Sequence, residues 1–228
     1  MTIGLLLVST GKYDVFLPEL LEQVDRLFFP NDKVEVFLFT DKFKHYIDSK
    51  RVSVTYIRIE HKPFPFPTLY RFRYINSESN SIKAKCDYVF YMDVDMRIVE
   101  TIGHEILSNG VIANQNCGFI HGGWGSLNVD PQSKAFVPFE KRGVYCAGGF
   151  QGGKTDAYMD MVNVLDKNIS EDENNGIIAE YHDESHFNNY LSYNEHTIIS
   201  HEYCMGEAYI SGTPKIIALD KNHAEIRS

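Results

Sequence analysis

Basic charge is what this 228-residue chain is short of: 22 Lys and Arg stand against 31 Asp and Glu, a formal net charge of -9. Nucleic acid or an anionic membrane would need a positive field, so neither is expected as the main partner. An anionic small molecule would have to be met locally, by a few placed cations or a metal. Cysteine is also sparse. Cys86, Cys117, Cys146 and Cys204 are irregularly spaced without a CxxC pair, which suggests neither a zinc site nor a disulfide framework. Reduced, partly buried thiols are expected. No apolar run approaches the ~20 residues that cross a bilayer, and no charged n-region with an apolar h-region opens the chain. The expectation is a soluble, cytoplasmic protein without a membrane span. G-x-G-x-x-G after the opening strand, internal repeats and low-complexity tracts are absent as well, so neither a dinucleotide fingerprint nor a repeat architecture is present.

What is there is a substantial core: 43% of residues are hydrophobic and 13% aromatic. A chain of this size buries about 70% of its unfolded surface in one compact unit, so a single domain over 1–228 is expected. Two apolar runs, Ile3–Ser9 and Tyr88–Met92, read as strands buried on both faces of a largely parallel sheet. Val34–Phe39 and Val52–Ile59 give two more strands. Phe16, Leu17, Leu20, Leu21, Val24, Leu27 and Phe28 recur at helical spacing, with Pro18 tolerated in the first turn. A proline cluster (Pro63, Pro65, Pro67) precedes a helix starting at Thr68, and another helix is expected over Asp156–Asp166, followed by a solvated turn at Glu171–Asn175. Strands alternating with helices point to an α/β fold.

Chemistry concentrates in four places. The Tyr88–Met92 run ends in Asp93-Val94-Asp95. Ligands of open α/β sheets bind beyond the carboxyl ends of strands, so these acids lie where a metal or phosphate is expected; a polar turn reads equally well on spacing alone. Gly118–Gly125, GFIHGGWG, sets His121 and the only tryptophan, Trp124, among four glycines: a surface for stacking a ring, or a turn with one anchoring aromatic. Gly143–Lys154 places two Gly-Gly pairs around Phe150, as backbone that approaches a ligand closely would need. Tyr181-His182-Asp183-Glu184-Ser185-His186 opens a helix; dipole chemistry explains acids at such a start, but not the two imidazoles.

In order and spacing these segments, with Gly11-Lys12-Tyr13, Phe39-Thr40-Asp41 and the closing Lys221-Asn222-His223 and Arg227, resemble glycosyltransferase family 6 nearly end to end. That family includes the histo-blood-group A and B transferases and the α-1,3-galactosyltransferases, with short bacterial and phage members. The resemblance implies a GT-A fold, a Rossmann-like mostly parallel sheet with helices on both faces. Its donor-binding half would be about 1–100 and its acceptor-binding half about 101–228. It implies transfer of a hexose from a UDP donor to a 3-hydroxyl with retention. Asp93 and Asp95 would hold Mn²⁺ or Mg²⁺, hard ions suited to oxygen ligands and diphosphate. Donor contacts carried over by the resemblance are Val8, Ser9, Thr10, Tyr13, Arg71, Val94, Ala147, Gly148, Gly149, His182, Lys221 and Arg227. Asp183 would hold hydroxyls of the transferred sugar, and Glu184 would be the nucleophile or the stabiliser of an oxocarbenium-like transition state. His121, Trp124 and Tyr181 would meet the acceptor, with Tyr181 standing where animal enzymes have a stacking tryptophan. Small residues at 147 and 149 favour UDP-N-acetylgalactosamine, with UDP-galactose the alternative. Two other classes compete: a haloacid-dehalogenase-type phosphotransferase, which also uses D-x-D after a strand, and a sugar-binding module without turnover.

Overall fold

A computed structural model of the chain describes residues 1–44, 46–123 and 125–227. Strands β1 (Thr2–Ser9), β2 (Lys33–Thr40), β3 (Val52–Arg58), β4 (Tyr88–Met92), β6 (Val111–Gln115), β7 (Cys146–Lys154) and β8 (His196–Ile199) form one sheet in the order β3-β2-β1-β4-β7-β6-β8. Every pairing is parallel except the two made by β7, which runs antiparallel between β4 and β6. A second sheet, β5 (Met96–Ile98), β10 (Ile216–Ala218) and β9 (Met205–Gly206), brings the C-terminal segment back beside β4. This is the mostly parallel α/β fold that the alternation of elements predicts.

Apolar residues pointing to both sides of β1 explain why its run is unbroken. Leu5 and Leu7 enter one core with α1 (Leu17–Leu27), Phe28 and Phe29; Leu6 enters a second with residues of α3 (Arg71–Ser77), α5 (Thr155–Asn174) and α6 (His182–Tyr193). Pro18 does sit in the first turn of α1. The single helix expected from Thr68 is instead a broken series, α2 (Phe66–Leu69), α3 and α4 (Ser79–Lys85).

Two expectations need correction. Both Gly-Gly pairs belong to a central strand, and the second pair does not line the cavity described below. A Cβ on Gly152 would collide with the Phe90 ring, and one on Gly153, at φ +146, with the Gly110 carbonyl, so these glycines let β7 fit between its neighbours. Residues 171–174 are not a solvated turn but the last turn of α5. There the fully buried Asp172 accepts from the Ser133 hydroxyl at 2.6 Å and the Lys134 N–H at 2.7 Å. Among the described residues no helix is long and apolar enough to cross a membrane.

Candidate active site

A break in strand pairing creates the site. Register between β6 and β7 shifts at Ala113/Asn114, leaving Gly148–Phe150 without partners in β6. Such a bulge frees backbone groups that must find other partners. Here those of Gly148 are taken by side chains that carry charge, and the Gly149 carbonyl by the backbone of the turn after β4. The Gly148 N–H donates to Glu184 Oε2 at 2.7 Å, the Gly148 carbonyl accepts from Arg71 Nη1 at 3.1 Å, and the Gly149 carbonyl accepts from the Asp93 N–H at 2.9 Å. The first Gly-Gly pair thus lines a cavity of about 460 Å³.

One wall of the cavity is the turn after β4. Asp93 accepts from the Tyr91 hydroxyl at 2.6 Å and faces Arg71 Nη1 at 3.3 Å. Asp95, mostly buried, is ion-paired with Lys221. Arg71 lies between the two acid pairs. Buried and stacked 4.3 Å over the Tyr91 ring, it places Nε 2.9 Å from Asp183. Burial alone would weaken its charge; Asp183 and Asp93 outweigh that and hold the guanidinium protonated.

The opposite wall is the start of α6. His182 takes a left-handed φ of +50, and the Ser185 hydroxyl accepts from the Tyr181 N–H at 3.0 Å, which turns Asp183 and Glu184 inward. Burial raises both acids, Asp183 to about 7, against the pull of Arg71. Asp183 Oδ2, fully enclosed, is the oxygen that faces Arg71 Nε in this ion pair. Glu184 is held at both oxygens, by Gly148 and by the Tyr145 hydroxyl. Helix α6 is locked to β7 by Asn188, whose side chain accepts from the Cys146 N–H at 2.9 Å and donates to its carbonyl at 2.8 Å.

The C-terminal segment forms the lid edge. Arg227 lies 3.7 Å over the Phe64 ring, and Lys12 Nζ donates to the Glu225 carbonyl at 3.0 Å. Most residues expected at the site do line this one cavity: Val8, Thr10, Tyr13, Arg71, Asp93, Val94, Asp95, Gly148, Gly149, Tyr181, His182, Asp183, Glu184, Lys221 and Arg227. Ser9 and Ala147 are buried and do not line it, and His121 is exposed on its loop away from it. Trp124 lies outside the described residues. His61, Lys62, Phe64 and Glu180 line the cavity without having been singled out; the proline cluster that carries Phe64 was the available signal. No group of three or more His, Cys, Asp or Glu among the described residues could enclose a metal unaided. Asp93 and Asp95 both line the cavity, and carboxylate oxygens are the donor type that suits a hard cation.

The model of glycosyltransferase family 6 matches residues 1–228. The chain belongs to that family. Family 6 relatives include histo-blood group ABO system transferase 2 of Rattus norvegicus, 31% identical over 242 residues that cover 100% of this chain and 72% of the relative. The O-antigen biosynthesis glycosyltransferase WbnI of Escherichia coli is 27% identical, covering 97% and 95%. Globoside alpha-1,3-N-acetylgalactosaminyltransferase 1 of Gallus gallus is 26% identical, covering 100% and 70%. The protein is therefore a hexosyl-transferring enzyme, and the binding-module reading falls. So does the phosphotransferase reading, since the D-x-D acids follow the fourth strand of the chain, not the first.

Proposed function

We propose that the enzyme transfers N-acetylgalactosamine from UDP-N-acetylgalactosamine to the 3-hydroxyl of a galactoside, in α linkage and with retention. The observation that carries this reading is that one cavity holds both acid pairs, Asp93/Asp95 and Asp183/Glu184, joined through Arg71. One pair serves the leaving group and the other the sugar.

Asp93 and Asp95 would hold Mn²⁺ or Mg²⁺, whose positive charge would offset the negative charge of the two phosphates. Lys221 and Arg227 add charge for the same diphosphate, so an acidic protein does not repel its own leaving group. With its tail ordered over the donor, the enzyme excludes water from the reacting carbon. Asp183, at the lining of the cavity with its charge held by Arg71, is suited to accept from sugar hydroxyls. Glu184, fixed at both oxygens, presents negative charge to the anomeric carbon as its bond to UDP breaks. Net reaction moves the bonding pair of the C1–O bond onto UDP, while the acceptor oxygen bonds to C1 and passes its proton to the departing phosphate oxygen.

Donor choice has two readings. The small residue at 149, which lines the cavity, and the N-acetylgalactosaminyl specificity in the name of the Gallus gallus relative favour the acetamido sugar. The galactose reading draws on Met96, whose terminal methyl stands where a Cβ on Gly149 would project and fills that space. A transfer assay against a panel of galactosides, with both donors and added Mn²⁺, decides. Transfer from UDP-N-acetylgalactosamine is the expected result, and turnover of neither donor would overturn the proposal.

A further inference from the structure

The glycine-rich loop Gly118–Gly125 contributes no described residue to the cavity, yet it reaches the site through one residue, Tyr145. Gly125 has φ +64, and a Cβ there would run into Cβ, Cγ and Cδ2 of Tyr145. No other residue type could hold the chain this close in this conformation. On the same ring, Phe119 packs edge-on, with centroids 5.3 Å apart and planes at 74°. Leu127 and Val137 complete a small apolar cluster around it. Two loop residues, Phe119 and Gly125, therefore fix the ring. The Tyr145 hydroxyl leaves this cluster and donates to Glu184 Oε1.

We propose that Tyr145 is the positioning residue for Glu184, and that the Gly118–Gly125 loop sets the carboxylate through the close contact of Gly125 with the Tyr145 ring. The assignment rests on the glycosyl-transfer reading only in giving Glu184 a role toward the sugar.

Tyr145 is 2% exposed, so water does not compete for its hydroxyl. Burial, with the Glu184 charge next, pushes the phenol up and keeps it a donor. Glu184 is itself raised by burial, while hydrogen bonds from Tyr145 and Gly148 and the field of Arg71 pull it down and Asp93 pushes it up. Tyr145 thus does two things for Glu184: it fixes the direction of one oxygen and it favours the ionised form. A carboxylate with only the Gly148 N–H would keep a free rotation about its last bond.

The test is Tyr145→Phe, which keeps the ring in its cluster and removes only the donor. Expected is a fall in kcat of about tenfold, the worth of one hydrogen bond to a charged group, with the donor KM unchanged and the acid limb of kcat moved to higher pH. Gly125→Ala should give the same split by displacing the ring. The double variant should be no slower than the slower single one, because both act through one hydroxyl. Independently of turnover, the ¹³C resonance of the Glu184 carboxyl should titrate about one unit higher in Tyr145→Phe than in the wild type. Superimposable titrations, or a Tyr145→Phe enzyme with wild-type kcat and pH profile, would overturn the assignment. Absence of turnover in the wild type would count against the glycosyl-transfer reading instead, and the titration would still judge this one.

Discussion

Lys221 forms an ion pair with Asp95, tying the C-terminal segment to the turn after β4, 126 residues earlier in the chain. The backbone repeats the tie, since the Leu219 N–H donates to the Asp95 carbonyl at 3.0 Å. The cation that compensates Asp95 is therefore the one the proposed function assigns to the diphosphate. Replacing it by an apolar chain of similar length, Lys221→Met, is expected to raise the donor KM about tenfold or more, as loss of a charge-assisted contact does. Initial-rate kinetics and calorimetric UDP titration measure this, and an unchanged donor KM would separate Lys221 from donor binding.

On the proposed reading, Asp93 and Asp95 make transfer depend on a metal. Excess chelator should abolish transfer and Mn²⁺ should restore it. Asp95→Asn should lower kcat by on the order of 100-fold or more, as expected when a metal's neutralisation of the leaving group is lost. Full activity in chelator would remove the metal from the mechanism.

Glu184→Gln keeps the shape of the side chain and discards its charge. Turnover should fall by about two orders of magnitude, as for other electrostatic transition-state contacts, with UDP affinity unchanged. Parallel kinetics and calorimetry make the comparison; equal turnover would take Glu184 out of catalysis.

Arg71 compensates two acids from a site that is 4% exposed. Arg71→Met would leave Asp93 and Asp183 without their shared cation, and removal of one partner from a buried ion pair costs about 3–5 kcal/mol. Urea denaturation should show that loss, and adding Asp183→Asn to Arg71→Met should recover part of it.

Acid sensitivity is expected from His186, fully buried two residues beyond Glu184. Burial lowers its pKa to about 4, against the attraction of Asp172. Between an unfolded value near 6.5 and this folded value the unfolded chain binds the extra proton, so stability falls as pH drops through that window. The slope from this group is at most about 1.4 kcal/mol per pH unit. His186→Gln should flatten the curve between pH 6.5 and 4.5, as measured by thermal unfolding across that range.

The first four strands of this architecture were legible and those beyond β4 in the sheet were not. β1, β2 and β4 announce themselves as strands because each carries an apolar run. β7 does not, because its glycines are demanded by the Phe90 ring and the Gly110 carbonyl pressing on them, and such neighbours are visible only once the strands are assembled. The same distinction runs through the site. Asp93, Asp95, Asp183 and Glu184 stand out by chemistry. Asn188 and Tyr145 hold that chemistry in place, yet as an amide on a helix and an aromatic in a loop they look ordinary until their partners are known. Asp172 misled for a similar reason: in an acidic run it reads as solvated, while Ser133 and Lys134 bury it.

The place of β7 has a consequence for synthesis on the ribosome. Strands β3, β2, β1 and β4 are all complete by Met92, but the strand that covers the free side of β4 begins only at Cys146. Until that stretch emerges, the nascent sheet exposes an unpaired edge made of Tyr88, Val89, Phe90, Tyr91 and Met92, the kind of edge on which strands from other chains add. Chaperone dependence of this protein should therefore concentrate in that interval of translation.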